Sequence, residues 1–195
     1  MRLIATLNFK ENKPKLKKEY IFKSDRLGFR NWLPQDLHEF AKINADTAVM
    51  EYFPKELTKE ETAESIKQFQ DHYEKYSFTY YATDVLKTGD FIGFIGLSYQ
   101  DYESNFTPAV DIGWRLKKSA WGYGYATEGA KRCLEIAFKD FNLESVVSVC
   151  TVGNSKSERV MKKIGMVKKG AFDHPKLKAY PAYEKCIWYE INKKV

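Results

Sequence analysis

Asp111 to Gly129 reads DIGWRLKKSAWGYGYATEG, a strand from Asp111 to Leu116, then a turn carrying Gly122 and Gly124, then the start of a helix. Both glycines lack a Cβ, so the backbone there can bend tightly and bring its N–H groups close to an anion. Downstream, Ala126, Ala130, Cys133, Leu134, Ala137 and Phe138 form one apolar stripe at helical spacing, with Glu128/Arg132 and Glu135/Lys139 as favourable i,i+4 pairs outside it. Free N–H groups at the positive end of a helix dipole make a phosphate site. The bland alternative is a strand-to-helix turn that binds nothing.

Two familiar phosphate loops are excluded by the letters. A nucleotide P-loop places Lys and then Ser/Thr after its last glycine, whereas Gly124 is followed by Tyr125. A dinucleotide fingerprint wants a third small residue where Thr127 stands, and an acidic residue closing the next strand. A pyrophosphate cradle of another kind remains. Its companion lies downstream in Asn154 to Met166, NSKSERVMKKIGM, where Asn154 or Ser155 is the N-cap, Glu158 closes a capping box from Ser155, and Gly165 is the stop. The two glycine-bounded helices bracket one short strand, Ser145 to Cys150.

Upstream, Tyr20 to Arg30 reads as a strand, Pro34 to Ala45 as a helix, and Thr58 to Tyr76 as a longer helix with Thr58 and Glu61 as a capping box. Phe78 to Thr83 and Phe91 to Ser98 read as a hairpin turning at Lys87-Thr88-Gly89-Asp90, and Pro108 to Leu116 as the strand that feeds the glycine turn. Final strands are expected near Val167 to Phe172 and Pro181 to Ile191. Residues 1–19 read as a basic extension or an extra strand, the apolar run Leu3 to Phe9 favouring the strand. The rest, 20–195, reads as one mixed α/β domain without repeat or linker.

With 195 residues, 44% hydrophobic and 15% aromatic, the chain can bury one substantial core, and its mean hydropathy of -0.53 fits a water-soluble protein. No apolar run reaches membrane-spanning length and no signal-peptide pattern is seen, so a cytoplasmic location and no membrane partner are expected. Cys133, Cys150 and Cys186 are odd in number and far apart, and His38, His72 and His174 form no cluster, which argues against a disulfide framework or a metal site. The net charge of +6 is uneven: residues 1–30 carry nine bases against three acids, 31–111 are acidic, and 156–195 are again basic. A basic late third suits a polyanionic ligand and an acidic early half suits an amine or basic peptide. Any single charge on such helix faces is more simply a solvated one.

Taken together, IGFIGL (Ile92 to Leu97), DIGWRL (Asp111 to Leu116), WGYGYATEG (Trp121 to Gly129), NSKSERVMKKIGM and FDHP (Phe172 to Pro175) resemble the GCN5-related N-acetyltransferases, the GNAT superfamily. The spelling is similar to the branch holding the ribosomal-protein N-terminal acetyltransferases and many bacterial small-amine acetyltransferases. The likeness covers about Ser24 to Glu190. It implies a mixed, mostly antiparallel central sheet flanked by helices, with a splayed pair of strands holding acetyl-CoA. It also implies transfer of the acetyl group to a primary amine, of a small molecule or a peptide N-terminus, by direct attack without a Ser or Cys nucleophile. A homodimer is common among such relatives.

The resemblance places the pyrophosphate at Trp121, Gly122, Tyr123, Gly124, Tyr125, Ala126 and Thr127, and the pantetheine arm beside Ile112, Trp114 and Leu116, with Asn154 and Ser157 also on the coenzyme. Asp111 stands where that branch commonly has Glu, and is the candidate proton relay; the plain alternative is a strand-edge carboxylate paired with its neighbours. Many members place a Tyr acid seven residues after the Asn; here that position is Met161, so Ser157 is the substitute candidate for protonating the thiolate, or else only supports the helix start. Ser119 replaces a usual Gln or Arg, leaving phosphate contact to backbone amides, Lys117, Lys118 or Ser119 itself. Of the aromatics Tyr52, Phe53, Tyr73, Tyr76, Tyr80 and Tyr81, one or two are expected at the acceptor and the rest in the core. Trp121 either covers the coenzyme or packs beneath the loop. Two rival readings are a non-catalytic acyl-CoA sensor and, from 13 Tyr, 13 Phe and a pI near 9.0, a nucleic-acid-binding module. The bases of this chain cluster at its ends without interleaved aromatics, so no nucleic-acid partner is expected.

Overall fold

The structure, a computed structural model, describes residues 18–193. The expected N-terminal strand or extension therefore lies outside the described residues, save Lys18 and Glu19, which belong to no regular element. Eight strands form one sheet in the order β1-β2-β3-β4-β5-β6-β8-β7. They are β1 (Phe22–Lys23), β2 (Leu27–Arg30), β3 (Tyr80–Val85), β4 (Phe91–Gln100), β5 (Ala109–Leu116), β6 (Ser145–Thr151), β7 (Val167–Asp173) and β8 (Lys185–Asn192). Helices α1 (Asp36–Asn44), α2 (Thr47–Met50), α3 (Lys59–Tyr76), α4 (Tyr125–Lys139), α5 (Ser155–Lys163) and α6 (Pro181–Glu184) connect them. Neighbouring strands are antiparallel except β5 and β6, as expected of a mixed, mostly antiparallel sheet.

Two expected strands are corrected. Tyr20 to Arg30 is a hairpin: the polar run Ser24-Asp25-Arg26 turns the chain, the Leu27 carbonyl accepts from the Ser24 N–H at 2.9 Å, and Phe22 comes to pair with Phe29. The last strand begins at Lys185, because Pro181 has no N–H for a ladder and its fixed φ suits the first turn of a helix, here α6. The short helix α2 was not foreseen; the Asp46 carboxylate caps it by accepting from the Ala48 N–H at 2.9 Å. The Thr58/Glu61 capping box forms on α3, and the β3/β4 hairpin turns through Gly89 at φ 74°.

Each face of the sheet carries its own core. On one face, Ala130, Cys133, Leu134 and Ala137 of α4 and Met161 of α5 pack on Ile95, Leu97, Ile112 and Leu116. The helix lies close because Gly129 faces the sheet; a Cβ there would sit 2.4 Å from Ile95 Cδ1. On the other face, Phe40, Ile43 and Ile66 of α1 and α3 cover Ala82, Phe91 and Phe94. There the buried Arg30 guanidinium donates to Asp84 at 2.6 Å and 3.0 Å and to Asp36 at 2.6 Å and 2.9 Å, tying β2, β3 and α1 together. The expected Glu128/Arg132 pair does not form: the hairpin turn brings the Ser24 hydroxyl and the Arg26 side chain to Glu128, each at 2.6 Å, and Arg132 donates to Glu135 instead.

The feature that positions the site is the divergence of β5 from β6. They share a single register pair, Asp111 with Val147, whereas β5 pairs with β4 along its whole length and β6 with β8 likewise. The Ser148 hydroxyl donates to the Ile112 carbonyl at 2.8 Å and pins the closed end of the gap. Beyond it the strands splay, and by the two-residue alternation of a strand Trp114 turns its N–H and C=O to the same open edge as Ile112.

Candidate active site

A cavity of about 500 Å³ opens from that gap, a size suited to a small-molecule ligand. One wall is the glycine turn. Gly122 and Gly124 have φ of 82° and 80°, the left-handed region that any other residue enters at a cost, and Gly124 serves as N-cap of α4 without a side-chain cap. The N–H groups from Gly122 through Thr127 find no acceptor among the described residues, so the turn presents a run of free donors at a helix start. A Cβ added at Gly122 meets nothing within 4 Å, which leaves open space over those amides. The turn is held from behind. The Trp121 indole N–H donates to the Leu116 carbonyl at 2.8 Å, and Arg26 Nη1 donates to the Tyr123 carbonyl at 3.1 Å. Trp121 thus packs beneath the loop while its ring still lines the cavity.

The second wall is the start of α5. Asn154 is its N-cap, accepting from the Ser157 N–H at 3.0 Å. The capping box from Ser155 does not form, because Glu158 is drawn instead to the Tyr189 hydroxyl at 2.5 Å. Ser157 lines the cavity and its hydroxyl has no partner among the described residues. Met161 is buried in the core, leaving Ser157 as the hydroxyl this helix offers to the cavity. Lys156, Arg159 and Lys163, at i, i+3 and i+7, put three cations along the same wall. The segment Ala48 to Phe53 closes the opposite side, fastened where the Thr151 hydroxyl donates to the Tyr52 carbonyl at 3.2 Å and where Lys156 Nζ lies 3.4 Å from Glu51.

Asp111 sits at the point where the strands part, 8% exposed, and accepts from the Tyr80 hydroxyl at 2.5 Å. Burial pushes its carboxyl up to about 7, against the opposing pull of the Tyr80 hydroxyl and the Val149 N–H. Burial raises the Tyr80 phenol well above its ordinary value, the adjoining carboxylate adding to the effect, so the phenol stays a donor. The thiols are far from reactive: burial pushes Cys150 up to about 12 and Cys186 to about 11, and raises Cys133 as well. Among the described residues no cluster of His, Cys, Asp and Glu fit for a metal occurs, and no helix is long and apolar enough to cross a membrane.

Of the residues singled out from sequence, Trp114, Leu116, Trp121, Gly122, Gly124, Tyr125, Ala126, Thr127, Asn154 and Ser157 are brought together around the cavity. Three are not on its wall. Ile112 is wholly buried in the core, Tyr123 is 62% exposed and stacks on Tyr125, and Asp111 lies deeper, beside Tyr80. Lys117, Lys118 and Ser119 do not line the cavity; the cations that do are Lys156, Arg159, Lys163 and Arg115. The helical spacing of the first three was legible in sequence, but similar spacing marks any solvated face. Of the aromatics weighed for the acceptor, Tyr52 and Phe53 line the cavity, whereas Arg115, Ala48, Val49 and Glu51 gave no signal, because only the fold sets them against it.

Comparison with known proteins agrees with this layout. The family described as acetyltransferase (GNAT) domain matches residues 26–167. An uncharacterized N-acetyltransferase, YnaD, of Bacillus subtilis is 34% identical over 146 residues, 74% of this chain and 78% of that protein. A GNAT-family acetyltransferase structure from Bacillus anthracis superposes with a TM-score of 0.71 at 25% identity, over 87% of this chain and 96% of that one. Spermidine N-acetyltransferase from Vibrio cholerae, solved with CoA and spermine, shares the fold with a TM-score of 0.66 at 18% identity, over 86% of this chain and 95% of that one. The matched stretch carries the glycine turn, the splayed strands and the Asn154 helix alike, and the chain belongs to the GNAT family and is an N-acetyltransferase.

Proposed function

We propose that this chain transfers the acetyl group of acetyl-CoA to a primary amine, of a small molecule or a peptide N-terminus, by direct attack. The observation that carries the reading is Asp111, a buried carboxylate at the parting of β5 and β6, next to a cavity walled by free amides and a free serine hydroxyl. The residues present fit the coenzyme: the amides of Gly122 through Thr127 with Lys156, Arg159 and Lys163 would hold its phosphates, and the open edge at Trp114 its pantetheine arm. Bound there, acetyl-CoA would supply an acetyl thioester. Asp111, raised towards neutrality, takes a proton from the incoming ammonium, directly or through water, so that the amine lone pair is free to attack. The Tyr80 hydroxyl holds that carboxylate in place. Ser157 donates a proton to the departing thiolate. The motifs resemble the ribosomal-protein N-terminal branch, so peptide N-termini stand beside small amines as acceptors. The odd, separate and unreactive thiols fit a reducing, cytoplasmic setting.

Titration calorimetry with acetyl-CoA, followed by thiol release across an amine panel, tests the reading. Sub-millimolar binding and amine-dependent thiol release are expected. Absence of acetyl-CoA binding at that concentration refutes it.

A further inference from the structure

One charge at the cavity is left unused by the reaction just described. Arg115 lies on β5 four residues beyond Asp111, so the alternation of the strand puts both on the same face of the sheet. Its Nη1 donates to Asn44 Oδ1 at 2.8 Å. Asn44 is fully buried and donates in turn to the Thr62 hydroxyl at 3.1 Å, which donates to the Thr58 carbonyl at 2.8 Å. The guanidinium lies 4.2 Å over the Phe53 ring and 5.7 Å from the Phe94 ring. It is thus held at one edge and one face and lines the cavity.

What it lacks is an acid. No carboxylate comes within ion-pair distance of Arg115 among the described residues, and its buried Nε has no hydrogen-bond partner. The contrast with Arg30 is informative, since that buried guanidinium is answered by two aspartates. Glu51, the acid among the residues lining the cavity, is turned to Lys156. Arg115 is half-buried, and a guanidinium whose Nε is buried without a partner and which has no counter-charge beside it is left incomplete until a ligand supplies the acid. It is also joined to the acid–base centre. The Tyr80 ring stacks on Phe94 at 4.8 Å, and its hydroxyl holds Asp111, so Asp111, Tyr80, Phe94 and Arg115 form one chain of contacts, of which Arg115 lines the cavity and the others lie behind it.

We propose that the acceptor amine carries a carboxylate, and that Arg115 receives this carboxylate while the amine reaches Asp111. The inference rests on the site being an amine acetyltransferase and narrows its substrate class to amino acids and related amino-carboxylates. A polyamine is disfavoured, because its second ammonium would meet a fixed cation. A planar fork with free N–H groups matches a carboxylate better than a lone carbonyl.

The test compares amines that differ only by that group: β-alanine with ethylamine, 4-aminobutyrate with propylamine, 6-aminohexanoate with pentylamine, and tyrosine with tyramine, at matched free-amine concentration. Charge-assisted bonds of this kind predict that kcat/KM favours the carboxylate member of at least one pair by about ten- to a hundredfold. In Arg115→Met that ratio collapses towards one, and in Arg115→Lys it falls part of the way. No preference in the wild-type protein, or a preference that survives in Arg115→Met, overturns the proposal, the first without requiring any variant to fold. A loss of CoA affinity of tenfold or more in Arg115→Met also overturns it, by assigning Arg115 to the coenzyme. If no amine is turned over, titration of the same pairs into the CoA-loaded protein separates the two ideas. Selective binding of the carboxylate member keeps the Arg115 proposal and removes the catalytic reading; binding of neither, or of both equally, removes the Arg115 proposal.

Discussion

Replacing Asp111 with asparagine tests whether a buried carboxylate has been kept at a cost to folding. Burial moves this group from an ordinary value of 3.8 up to about 7 in the folded chain. The folded state therefore holds the proton more tightly than the unfolded one. The stability of the wild-type protein falls as pH rises through the window from about 4 to 7, and the full deficit is present above it. A shift of about three units at 1.36 kcal/mol each sets a ceiling of about 4 kcal/mol. Asparagine carries no charge and can still accept from Tyr80 through its oxygen, but its NH₂ would face the Val149 N–H that now helps the carboxylate, which costs about 1–2 kcal/mol. A net gain of about 2 kcal/mol is expected at pH 8.5, or about 4–8 °C in Tm for a chain of this length, shrinking or reversing at pH 5, where the wild-type carboxyl is already protonated. Paired thermal melts at the two pH values read this directly. The same variant loses amine acetylation, while the wild-type rate rises with an apparent pKa near 7. A stability difference that is the same at pH 5 and pH 8.5 would refute the buried-base reasoning, whatever happens to activity.

Other consequences are as specific. Gly124→Ala forces a Cβ onto a residue at φ 80°, costing about 1 kcal/mol of stability and reorienting the amides that open α4; acetyl-CoA affinity by titration is expected to drop about tenfold. Ser157→Ala removes the hydroxyl that α5 presents to the cavity while the N-cap bond from its backbone to Asn154 survives. A fall in kcat of about a hundredfold with little change in coenzyme affinity marks Ser157 as the acid, whereas an unchanged kcat leaves it a helix-start residue. Asp84→Ala strips the buried Arg30 of one of its two carboxylates, with an expected loss of about 3 kcal/mol by chemical denaturation. Little change there would mean that Asp36 alone satisfies the guanidinium.

The sequence by itself determined what depends on neighbours a few residues apart. The apolar stripe of α4, the capping box of α3, the glycines that must take positive φ, and the stop at Gly165 are local requirements of backbone geometry, and they appear where the letters put them. The family followed from the order and spacing of five such blocks. Local pattern failed where a distant partner competed. Glu128 left Arg132 for Ser24 and Arg26, and Glu158 left its capping box for Tyr189, because a hairpin or strand far along the chain offered better-placed donors. The character of the site belongs to the tertiary structure for the same reason. Asp111 is an ordinary aspartate until the sheet withdraws it from water and sets Tyr80 against it, and Arg115 is an ordinary strand cation until α1 and the Ala48–Phe53 segment close around it, with the acid of that segment, Glu51, turned to Lys156. Charge in water is nearly indifferent to its surroundings, whereas charge removed from water is defined by them, and only the folded chain decides which charges are removed.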